Sequence, residues 1–121
     1  MTKIKNTKQY DLESRTLDYA KNSRAFVKKL QKTIANIEDS KQLIRSSGSV
    51  GANYIEANES FSKKDFILRA KICRKEAKES RYWLQLIDIK DDVELEDERI
   101  KLIKEATELM NIFGAIIRKS E

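Results

Sequence analysis

No proline interrupts the 121 residues of this chain, and it holds only three glycines. Folds rich in β-strands need turn residues at short intervals, and this sequence has almost none to supply. A proline-free chain rich in Lys, Glu, Leu, Ile and Ala reads as helix. Its length suits a single domain over 1–121. A domain of that size can bury roughly two-thirds of the surface that its unfolded chain exposes, which is enough for a core of its own.

The helices follow from apolar spacing. Residues 1–10, with Lys3, Lys5 and Lys8, are polar and basic and are expected to form a frayed arm. A first helix is expected over 12–32, with Leu12, Leu17, Ala20, Val27 and Leu30 at roughly helical intervals and Phe26 widening the stripe. Asn36 is placed to cap a second helix over 37–59, which carries Ile37, Leu43, Ile44, Val50, Tyr54 and Ile55. The run Ser46-Ser47-Gly48-Ser49-Val50-Gly51-Ala52 in its middle reads as helix despite its glycines. Apolar residues continue in phase on both sides, and small side chains admit a close neighbour.

Ser62-Lys63-Lys64-Asp65 resembles a capping box and opens a third helix over 63–89. Phe66, Ala70, Cys73, Ala77, Ser80, Leu84 and Ile87 alternate four and three apart, a heptad seam. Ile72, Trp83 and Leu86 make a second apolar flank. The segment Asp88–Glu98 has seven acids in eleven residues and reads as a loop feeding a fourth helix over 97–119. That helix shows two apolar stripes. One runs through Ile100, Ile103, Thr107, Met110, Gly114 and Ile117, the other through Leu102, Ala106, Leu109, Phe113 and Ile116. So wide a face exceeds what one seam needs. Together with the flank on helix three it predicts a homo-oligomer, with Ile72, Trp83, Leu86, Leu102, Leu109, Phe113 and Ile116 as candidate interface residues. Short connections between long helices predict an all-α, antiparallel, up-down-up-down four-helix bundle.

Chemistry is hard to find. The chain has no histidine, so the commonest general base, the usual triads and most metal sites are missing. The pairs Glu56/Glu59 and Glu76/Glu79 offer a carboxylate-only metal site at best, and ion pairing with neighbouring Lys or Arg is the plainer account. Cys73 has no second cysteine or histidine to activate it and reads as a small buried hydrophobe. Gly48-Ser49-Val50-Gly51 matches a GxxG loop, but the strands such a module needs are absent from the pattern. No catalytic residue, cofactor or metal is therefore expected, and the protein reads as a non-enzyme. A single cysteine, the lack of an apolar run near the N-terminus and the lack of a ~20-residue apolar segment point to the cytoplasm, with no membrane contact.

Charge is more informative. The chain carries a formal +5, and Lys63 to Arg81 alone holds eight Lys or Arg against three acids. Lys64, Lys71, Arg74, Lys75, Lys78 and Arg81 fall on one helical face, roughly opposite the seam. With Lys28, Lys29 and Lys32 at the end of helix one they form a candidate nucleic-acid-binding surface that would track phosphates of RNA or DNA. Two other accounts stand beside it. The face can serve solubility alone, or it can meet the acidic Asp88–Glu98 segment of a neighbouring subunit.

Three blocks carry a family resemblance: Ile44-Arg45-Ser46-Ser47-Gly48-Ser49-Val50-Gly51-Ala52-Asn53-Tyr54-Ile55-Glu56-Ala57, then Ser62-Lys63-Lys64-Asp65-Phe66, then Lys75-Glu76-Ala77-Lys78-Glu79-Ser80-Arg81-Tyr82-Trp83-Leu84. In order and spacing this resembles the four-helix-bundle proteins of the 23S rRNA intervening-sequence (S23) family. Ala57 departs mildly from the Gly that many members carry after the motif Glu. The resemblance implies a barrel-like homopentamer of unsettled role and no catalytic residues. It also implies a relation to the accessory variability proteins of diversity-generating retroelements, which bind a reverse transcriptase and nucleic acid through a basic surface. In its light Asn53, Glu56 and Glu76 read as a polar network between helices two and three. The functional expectation is a homo-oligomeric accessory protein associating with nucleic acid or a nucleoprotein partner. The alternative is a protein-protein interaction scaffold that touches no nucleic acid.

Overall fold

The computed structural model describes the backbone of residues 7–121 and the side chains of residues 12–121. Four helices account for nearly all of it: α1 (Thr7–Lys28), α2 (Ile34–Asn58), α3 (Lys63–Leu86) and α4 (Val93–Ser120). The described residues contain no strand, so the protein is all-α, a helical bundle. α1 packs on α2, α2 on α3, α3 on α4 and α4 back on α1. The first six residues of the expected arm, with Lys3 and Lys5, lie outside the described residues, and Thr7 already belongs to α1.

The helix ends differ from expectation for local reasons. α1 closes at Lys28, not 32, because Lys29 and Leu30 donate to carbonyls three residues back and tighten the last turn. The cap of α2 is Thr33, whose hydroxyl accepts the Asn36 N–H at 3.1 Å. Asn36 instead turns inward. Its amide donates to the carbonyls of Gln31 and Asp88, and its carbonyl accepts the Asp88 N–H at 3.0 Å, so it ties two connections together at one end of the bundle. Ser62 does cap α3, accepting from the Asp65 N–H. Only the turn at 87–92 separates α3 from α4, because Asp92 caps α4 and the acids from Glu94 onward are helical. With neither Gly nor Pro available, the chain reverses there through Lys90 and Asp91, both left-handed at φ 56° and 60°. The Asp88 carboxylate, accepting from the Lys90 N–H at 2.8 Å, holds that turn.

A heptad seam runs down each of the first three helices: Leu12, Thr16, Tyr19, Ser23 and Phe26 on α1, continued by Leu30 just past its end; Asn36, Ser40, Leu43, Ser47, Val50, Tyr54 and Ala57 on α2; Ala70, Cys73, Ala77, Ser80 and Leu84 on α3, continued by Ile87 at its cap. α4 contributes Leu95, Leu102, Ala106, Leu109, Phe113 and Ile117. Leu17, Ile37, Ile55 and Ile100, expected on apolar stripes, are instead exposed. The core of α1, α2 and α3 instead admits hydroxyl side chains, made harmless by bonding their own helix: Ser23 to the Tyr19 carbonyl, Ser46 to Gln42 and Ser80 to Ala77. Both diagonals of the bundle are crossed in the core. Tyr19 of α1 meets Ser80 of α3 at 2.6 Å, and the Tyr54 ring of α2 meets the Phe113 ring of α4 edge-on at 5.7 Å.

Candidate nucleic-acid interface

The outer crest of α3 lies opposite its seam. Lys64, Lys71 and Lys75 are exposed there, and Arg74 and Lys78 are exposed towards α4. Among the described residues none of these five is in an ion pair. Arg81, the sixth member, is half-buried and donates to the Thr107 hydroxyl of α4 at 3.1 Å. The crest is not purely cationic. Leu68, Tyr82 and Leu86 share it and are about half exposed.

The cations of α1 do not join this surface. α1 and α3 lie across a diagonal of the bundle, so Lys28 and Lys32 are exposed on a different side. Lys29 is exposed as well, but its ammonium is paired with Glu98 at 2.7 Å. Four of the seven acids in the acidic segment are engaged within the chain, while Asp91, Glu94 and Asp97 are exposed. Glu98 holds Lys29, Glu96 holds Arg99, Asp88 lies 3.8 Å from Lys90, and Asp92 caps α4.

The interface candidates divide. Leu102, Leu109 and Phe113 lie in the chain's own core and present no surface, a correction to the expected subunit contact. The two stripes of α4 are explained by its contacts with α1 and α3. Ile72, Trp83 and Ile116 are half-buried, and Leu86 is exposed.

The family motif is held by arginines that apolar patterning does not single out. Arg45 of α2 donates to Glu79 at 2.8 Å and lies 3.6 Å from the buried Glu76, too long for a hydrogen bond, so that carboxylate oxygen is ion-paired but without a donor. Arg69 of α3 donates to the Asn53 side chain at 3.0 Å. Asn53 and Glu76 thus do link α2 to α3, but Glu56 is exposed and stands outside the network. Gly48-Ser49-Val50-Gly51 lies in mid-helix, where Gly51 makes room for α1. A Cβ on Gly51 would lie 2.9 Å from the Thr16 hydroxyl oxygen.

For catalysis these surroundings offer little. The Cys73 thiol is wholly buried, and burial pushes its pKa up to about 12, far from a thiolate. Burial also raises the Tyr19 hydroxyl to about 12. No group of three or more His, Cys, Asp or Glu side chains among the described residues is arranged to hold a metal. A groove of about 480 Å³ separates α1 from α4, lined in part by Arg15, Asp18, Asn22 and Lys101. Arg15 spans it, donating to Glu105 at 2.7 Å and Glu108 at 2.6 Å, and those two carboxylates hold its guanidinium pKa above the ordinary value. No described helix is long and apolar enough to cross a membrane.

Comparison with known proteins agrees with this architecture. The chain is similar to a protein of unknown function from the S23 ribosomal protein family of Bacteroides thetaiotaomicron. The two share 29% identity with a TM-score of 0.72, over 87% of this chain and 96% of the other. No curated protein matches it. The profile of the 23S rRNA-intervening sequence protein family covers residues 8–115, and by that match the chain belongs to this family.

Proposed function

We propose that the protein is a non-enzymatic, homo-oligomeric accessory protein that associates with RNA or DNA through the basic face of α3. One observation carries the reading. Lys64, Lys71, Arg74, Lys75 and Lys78 are exposed without a carboxylate partner, whereas Arg15, Lys29, Arg45 and Arg99 each meet a glutamate. Unpaired cations along one helix suit a polyanion, whose phosphates they neutralise with release of counterions. Contacts of this kind position a protein without reading bases, so sequence specificity would be low.

The rest of the reading has its own support. A non-enzymatic role is supported by the lack of histidine and by the burial of Cys73. An up-down-up-down topology is supported by the pairing of Glu13 with Asn58, Arg45 with Glu79, Arg81 with Thr107 and Arg15 with Glu105. Oligomerisation is supported by the exposed Leu68, Tyr82 and Leu86. Five subunits, a cytoplasmic setting and kinship with the accessory variability proteins of diversity-generating retroelements complete the proposal, as the family resemblance and composition imply. The same three apolar side chains favour the second reading, a scaffold that docks a partner protein.

Fluorescence anisotropy with labelled duplex DNA, single-stranded DNA and structured RNA tests the proposal. Affinity should fall steeply with salt. The triple variant Lys71→Glu/Arg74→Glu/Lys78→Glu should lose binding while its circular dichroism stays unchanged. Wild-type protein that binds none of the three at low salt would hand the case to the scaffold reading.

A further inference from the structure

Two arginines from different helices converge on one glycine. Gly114 is buried in α4. A methyl group on its Cα would lie 3.5 Å from a terminal nitrogen of Arg118 and 3.9 Å from one of Arg74. The two guanidinium nitrogens are therefore within about 7.5 Å of each other. Among the described residues neither arginine is in an ion pair. Like charges so placed repel, and each would be better off beside a carboxylate.

Helix packing does not demand glycine at this position. Both contacts of the added methyl are of ordinary van der Waals length and involve the ends of flexible side chains, unlike the 2.9 Å clash awaiting Gly51. Alanine would favour the helix more. What Gly114 leaves is room between two guanidiniums, on the flank where α3 meets α4. On α3 the flank has Arg74, Lys78, Arg81 and Gln85, and on α4 Lys104, Thr107, Asn111, Gly114 and Arg118, spaced three and four apart. The acid next along that flank, Glu121, lies three residues beyond Arg118 and is in no ion pair among the described residues.

We infer that the notch over Gly114 binds a phosphate oxyanion between Arg74 and Arg118. Charge-assisted N–H···O bonds of ~2.8 Å let one phosphate touch both guanidiniums across such a gap. Resting on the nucleic-acid reading above, the phosphate is a backbone phosphodiester, and free phosphate is the other source of the same chemistry. The phosphate track then follows the α3–α4 flank through Lys78 and Arg81.

Arginine Nε–H NMR signals, followed while inorganic phosphate is titrated against a sodium chloride control of equal ionic strength, test the notch directly. The Arg74 and Arg118 signals should move saturably with phosphate. Arg118→Ala should weaken the Arg74 response at least tenfold, and Lys41→Ala, on α2, should leave it unchanged. Equal movement in chloride, or an Arg74 response indifferent to Arg118→Ala, would overturn the inference. Anisotropy with the labelled nucleic acids separates the sources. Arg74→Ala/Arg118→Ala should lose about tenfold in affinity and flatten the salt slope by about one. If the wild type takes phosphate but no polynucleotide, the notch stands as a free-phosphate site and the nucleic-acid reading fails. If polynucleotide affinity and slope survive the double variant, the reading stands and the notch fails.

Discussion

α1 is held on its two sides by opposite means. Towards α2 the contact is close and neutral. Gly51 removes a side chain so that Thr16 can sit against the α2 backbone, and Thr16, Ser23, Ser46 and Ser47 are all buried. Towards α4 the helices stand apart across a groove of about 480 Å³, bridged by Arg15 with Glu105 and Glu108 and by Lys29 with Glu98. Small side chains let backbones approach, and long charged ones hold them off. The first kind of contact is sensitive to volume and to charge, because its side chains are buried and close to a neighbouring backbone. The second is sensitive to salt and tolerant of substitution.

The contrast predicts unequal damage. Gly51→Leu should be the most harmful change, costing about 3 kcal/mol by overpacking, measured by urea unfolding. A loss below about 1 kcal/mol would mean that α1 can shift outward after all. The next effect is alkaline. Cys73 and Tyr19 are raised from 9.0 and 10.0 to about 12. The folded state therefore holds these protons more tightly than the unfolded chain does. The stability this confers is intact below pH 9 and is lost as pH rises towards 12, by about 3 kcal/mol at pH 10.5 for the two groups together. Tyr19→Phe and Cys73→Ala together should flatten the alkaline limb of a stability profile, and an unchanged limb would show that other groups cause it. The smallest effect belongs to the open side. Arg15→Met should cost less than about 1 kcal/mol, because Arg15 and Glu105 are about 30% exposed and screened. That loss should shrink further in high salt. A larger loss that persists in salt would make the groove a structural joint like the α1–α2 seam.

The same contrast explains how much could be read in advance. The heptad seam of α3 was visible because Ala70, Cys73, Ala77, Leu84 and Ile87 are all apolar or nearly so. The seams of α1 and α2 follow the same alternation but pass through Thr16, Ser23, Asn36, Ser40 and Ser47. A hydropathy reading therefore drifts to exposed Leu17 and Ile37. The hydroxyls enter the core only because helical carbonyls satisfy them, and Asn36 because two loops meet at its side chain. The basic residues were legible, but their partners were not. Lys29 belongs with Glu98 through the fold alone, 69 residues away.

Helicity was already settled by composition, since a chain without proline and with three glycines has little else to become. Four helices, one clear seam and an excess of cations on α3 were equally legible, because these are local properties of spacing and composition. Helix packing alone settles which cations stay unpaired, which of the apolar residues on α4 are core, and that Arg74 and Arg118 meet over Gly114. Those outcomes depend on which helix faces which, and a side chain's charge or burial is settled by a neighbour that the local sequence does not name.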